Sequence, residues 1–146
     1  MQEIQWFRSF VEQILEEGWE QCRVDKDPDG DFPFRFGTAG GWVRIEPGPP
    51  LAVRVIAIAA TGVRRTAKLL TELNELNAAA RSVSTFWSAG SVYVDKAIDA
   101  PGVTAETLMG SCAEVGTAAD TIGALVAGMF DGATPFEAAT SEDETA

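Results

Sequence analysis

Apolar residues recur along the first stretch of the chain at helical spacing. Ile4, Phe7, Val11, Ile14 and Leu15 form one stripe, widened by Trp6 and Phe10, while Glu3, Glu12, Glu16 and Glu17 occupy the wet side. This pattern predicts a helix from about Gln2 to Gln21, weakened by Gly18, then a loop over Asp25 to Asp31 around Pro28 and Gly30. Phe32, Phe34 and Phe36 then alternate with Pro33 and Arg35, the period of a half-buried strand. Pro33 lacks an amide donor, which places that strand at a sheet edge.

A turn at Thr38-Ala39-Gly40-Gly41 leads to a second strand, Gly41 to Glu46, with Val43 and Ile45 on one face and Trp42 and Arg44 on the other. After Pro47-Gly48-Pro49-Pro50, the run Leu51 to Ala60 is apolar except for Arg54, as a central strand should be. A helix is predicted from about Thr66 to Ala80, with Leu69, Leu73, Leu76 and Ala80 inward. A hairpin follows, Val83 to Trp87 and Ser91 to Asp95 around Ser88-Ala89-Gly90. Thr104 is the expected N-cap of a long closing helix whose inward stripe runs Leu108, Cys112, Val115, Ala119, Ile122, Val126, Met129, with Gly132 as terminator. Gly110, Gly116, Gly123 and Gly128 in that helix suit close packing, within the fold by preference or else at a dimer seam. The order α-β-β-β-α-β-β-α predicts an α+β domain over residues 1–132, a twisted antiparallel five-stranded sheet with helices mainly on one face. Residues 133–146 are expected to form a disordered acidic tail.

Composition changes the picture mainly by exclusion. The chain has 146 residues, 46% of them hydrophobic, enough for one domain with a core. Its formal charge of -11 opposes binding to nucleic acid or an anionic membrane surface. The acidic N-terminal stretch is unlike a secretory signal and no apolar run spans a bilayer, which points to the cytoplasm and to free thiols at Cys22 and Cys112. The sequence holds no histidine, no phosphate-cradling glycine loop and no Ser-x-x-Lys spacing, so neither an enzyme nor a cofactor is expected. Asp25, Asp27, Asp29 and Asp31 alternate around Gly30 like a calcium loop, but position twelve is Phe36 rather than a bidentate glutamate. An incidental acidic loop is the expectation.

A face not covered by helices must be polar, or covered by a partner or a ligand. Trp42, Trp87 and Tyr93 are the large residues that could stand on it, with Arg44 beside Trp42; interface and core both remain open for these three. Asn74 and Asn77 share one helical face. Their amides could bind a partner's backbone or a neighbouring loop.

The motif Leu73-Asn74-Glu75-Leu76-Asn77, the hairpin around Phe86-Trp87 and Val92-Tyr93-Val94, and the closing helix at Val115 to Asp120 carry a resemblance. Over roughly Trp6 to Phe130 the chain resembles the type III secretion chaperone-like and YbjN-like peptide-binding superfamily, especially its actinobacterial chaperone-like domains. The resemblance implies a small cytoplasmic protein, often a homodimer, that holds a segment of a client protein without catalysis. Trp42, Arg44, Asn74, Asn77, Trp87 and Tyr93 are the candidate peptide-binding residues. The competing classes are a small-ligand binder or enzyme with a site between helix and sheet, and a purely structural homodimer subunit.

Overall fold

A computed structural model describes residues 2–20 and 24–137, so Cys22, Gln21 and positions 138–146 lie outside the described residues. Along the chain run α1 (Gln2–Gly18), β1 (Phe32–Phe36), β2 (Ala39–Glu46), β3 (Ala52–Ala60), α2 (Ala67–Ala79), β4 (Ser84–Ser88), β5 (Ser91–Asp99) and α3 (Ala105–Phe130). The element order is the one the hydrophobic pattern predicts.

All strand pairings are antiparallel, in the order β1-β2-β3-β5-β4. The apolar run of β3 is central, and Pro33 lies on an edge strand. One face presents Phe32, Val43, Val53, Val55, Ala57, Val92 and Val94, all fully buried beneath the helices together with Phe7, Val11 and Leu15 of α1. The alternate residues Trp42, Arg44, Arg54, Ile56, Ile58, Tyr93, Asp95 and Phe86 form the opposite, open face.

Thr104 caps α3 through a reciprocal exchange with Thr107, stabilising the start of the longest helix by satisfying otherwise orphaned amides. Its inward stripe runs through Leu108, Cys112, Val115, Ala119 and Val126 as expected, but Gly123 takes the place given to Ile122, and Met129 is 45% exposed. At 3.6 residues per turn the inward face drifts to those positions. Gly116 lies under the Phe36 ring and Gly123 against the Ala59 carbonyl, where any side chain would collide. The left-handed residue ending α3 is Asp131 rather than Gly132, which instead makes room against Val63.

Candidate functional site

Two surfaces meet at the β1 edge. On the helix side, Phe32 is fully buried, Phe34 half-buried and Phe36 39% exposed; α3 meets the Phe36 ring at Gly116, which has no side chain to cover it. The Trp19 ring, just past α1, lies 6.0 Å from the Phe34 ring. With Met109, Cys112 and Ala113 of α3, Trp19, Phe34 and Phe36 line a groove of about 470 Å³ alongside β1. Burial pushes the Cys112 thiol up to about 12, so it contributes an inert apolar wall rather than a nucleophile.

On the open face, cross-strand rows set the neighbours. Trp42 stands opposite Ile56 and Ile56 opposite Asp95. Gly40 stands opposite Ile58, Ile58 opposite Tyr93, and Tyr93 opposite Phe86. The Phe86 and Tyr93 rings stack at 5.1 Å. Arg44 sits over the Trp42 ring at 5.8 Å and donates to Asp31 through Nη2 at 3.0 Å and Nε at 3.2 Å. The Asp31 hydrogen bond raises the Arg44 pKa, and Arg54, bonded to Glu46 and then Asp95, is raised in the same direction. The Trp42 indole Nε1 is buried and donates to no acceptor among the described residues. A buried donor without a partner costs stability.

Residues 133–137, where an acidic tail was expected to begin, reach this face. The Ala133 amide donates to the Thr61 carbonyl at 3.0 Å, and the Thr61 amide to the Ala133 carbonyl at 2.7 Å. Three residues on, the Phe136 amide donates to the Thr38 carbonyl at 3.0 Å. The Phe136 ring covers Gly40, with the Arg35 guanidinium 4.2 Å from its centroid.

The structure thus brings Trp42, Arg44 and Tyr93 to one face, but not Trp87. Trp87 turns to the helix side, where its Nε1 donates to the Val63 carbonyl at 2.8 Å. The reason lies in the hairpin turn. Ala89 and Gly90, at φ 48 and 88, make a two-residue loop that aligns Ser88 with Ser91, and so Phe86 rather than Trp87 with Tyr93. The amide of Asn77 is engaged by Thr85, and Asn74 stands exposed one turn earlier on α2. Trp19, Met109, Phe86 and Phe136 were not among the candidates. Only Phe86 had a readable signal, the loop length of its hairpin.

In the acidic loop, Asp27, Asp29 and Asp31 bring one carboxylate oxygen each within 4.8 Å of one another, and the carboxylates of Asp27 and Asp31 are bonded within the fold. Asp27 accepts the amides of Asp29 and Asp31, both at 2.9 Å, and Asp31 accepts Arg44.

Comparison with known proteins agrees with this architecture. A chain in the crystal structure of the ExsC-ExsE complex is similar at a TM-score of 0.67 and 15% sequence identity, covering 82% of this chain and 95% of that one. At that identity the likeness establishes the fold. No curated protein matches the sequence significantly. The family model TY-Chap1, described as T3SS (YopN, CesT) and YbjN peptide-binding chaperone 1, matches residues 5–138, and the chain belongs to this family of peptide-binding chaperones.

Proposed function

We propose that the chain holds an extended client segment along β1, without catalysis, by adding a strand to the sheet. The observation that carries this reading is the groove beside that edge. A strand paired to β1 drops alternate side chains between Trp19, Phe34, Phe36 and Met109, and the intervening ones toward Arg35, Trp42 and Arg44 on the open face. The opposite edge is less available, since Asn77 already satisfies the backbone of Thr85 in β4. Tyr93, stacked on Phe86, extends the apolar open face beyond Ile58. Of the remaining candidates, Asn77 and Trp87 serve the reading by fixing β4. The charge of -11 favours client segments with basic flanks and keeps the complex soluble.

A photo-crosslinking residue at Phe36 tests this reading against the same residue at Glu106, on the first turn of α3. Crosslinks from Phe36 into extended segments of one or a few proteins support it; equal yields from both positions sink it.

A second copy is the further partner we propose. Ala118, Thr121 and Ile122 of α3 line a groove of about 690 Å³ with Leu76 and Ala79 of α2 and its C-cap Ala80. Leu125 and Met129, 49% and 45% exposed, extend this apolar stripe at helical spacing. We take the protein to work in the cytoplasm, and as a homodimer through this apolar side. A monomeric mass by light scattering at micromolar concentration would remove the dimer.

A further inference from the structure

We propose that the hollow over Gly40 is an anchor site for an aromatic side chain, filled in cis by Phe136 and vacated for an aromatic residue of the client. The proposal rests on the peptide-holding function above and names the chemistry of what is held. The fold builds this hollow from a missing side chain. Gly40 lies on the open face between Arg35 of β1 and Ile58 of β3, and a Cβ there would come within 2.9 Å of the Phe136 ring. Arg35 closes the hollow from above, with its guanidinium 4.2 Å from the ring centroid, a cation–π lid.

The backbone around the ring is held as a bound peptide would be. Ala133 makes a two-way antiparallel bridge to Thr61, and the Phe136 amide donates to Thr38, so three main-chain bonds and one ring hold residues 133–136. Yet Phe136 is still 39% exposed, and the Arg35 side chain is exposed too, so the ring can leave without opening the core. The hollow also adjoins β1, one strand inside the proposed client edge. A segment with an aromatic residue on its open-face side therefore competes with Phe136 for Arg35 and Gly40. The chain's own segment sets a threshold that only a segment with a better anchor overcomes.

The test uses full-length protein in three forms: wild type, F136A, and F136A combined with G40V, which fills the hollow with a strand-compatible side chain. The probe is a labelled peptide of residues 131–137, read by fluorescence anisotropy. The expected order is binding to F136A at least tenfold tighter than to wild type, lost in the G40V combination and lost when alanine replaces phenylalanine in the peptide. Equal affinity for wild type and F136A, or binding to F136A that survives G40V, overturns the proposal. Should F136A fail to fold, hydrogen exchange of G40V alone decides. Its Phe136 amide must exchange at least tenfold faster than in wild type, and an unchanged rate is a refutation. Crosslinking from Phe36 is scored separately. If Phe36 captures clients while the peptide shows no preference for F136A, the aromatic anchor falls and the peptide-holding function stands; if the peptide result holds and Phe36 crosslinks are nonspecific, the reverse is true.

Discussion

Phe86 and Trp87 are sequence neighbours whose rings stand on opposite faces of the sheet. Phe86 stacks on Tyr93 in the open, and Trp87 bonds the Val63 carbonyl beneath the helices. Their alanine variants should differ accordingly. W87A removes a packed ring and an indole hydrogen bond, and should cost about 3 kcal/mol. F86A loses one stacked pair at a site 37% exposed, and should cost about 1 kcal/mol. Urea unfolding of both variants measures the contrast; equal losses would place both rings in the core.

Trp42 is the second case. Its ring is half-buried while its Nε1 is buried without a protein acceptor. W42F removes that unpaired donor along with part of the ring, and the two effects offset each other. The expected result is a stability within about 1 kcal/mol of wild type, against a larger loss for W42A. A large loss in W42F would show that the indole N–H is satisfied in solution.

Asp120 ties α3 to the turn before β2. The Thr38 amide and hydroxyl both donate to its Oδ1 at 2.7 Å, and the amide bond, then the hydroxyl bond, lower its pKa. The sign follows from linkage. A carboxylate whose folded pKa lies below its ordinary 3.8 contributes stability above 3.8 that disappears as pH falls through the folded value. D120N should therefore lower Tm at pH 7 and converge with wild type in strong acid. The exposed side of the carboxylate keeps the pH 7 loss small, about 1 kcal/mol. A gap between the two that persists undiminished below pH 3 contradicts this.

Cys112 offers a chemical check of the groove wall. With its thiol pushed up to about 12 by burial, it should resist alkylation at pH 8 in the folded protein and react in urea. The measurement uses C22S, so that only one thiol reports. Rapid native labelling would mean that the wall between Trp19 and α3 opens.

The sequence and structure agree where a local period decides the outcome. The alternation at Phe32 to Phe36, the unbroken apolar run of β3 and the Thr104 cap each fix an element without knowledge of its neighbours. The site was less legible because its residues are defined by differences of one position. Choosing between Phe86 and Trp87 requires the number of residues in the Ala89–Gly90 turn, since a shift of one exchanges the faces. Likewise, whether Phe34 and Phe36 line a groove or close a core depends on how far α1 and α3 extend over β1, a tertiary property. Phe136 was hidden by its setting among acidic and small residues, which read as tail by composition while one ring docks.

The bond between Asn77 and Thr85 has a consequence for growth. One way for copies of this chain to stack end to end is for β1 of one to pair with β4 of the next, a one-way repeat with no closing symmetry that extends into a filament. Thr85, the second residue of β4, has no free main-chain donor to offer such a neighbour, because its amide donates to Asn77 Oδ1 and its carbonyl accepts Asn77 Nδ2. One asparagine thus guards the edge of the sheet opposite the one proposed for the client against a strand from another copy.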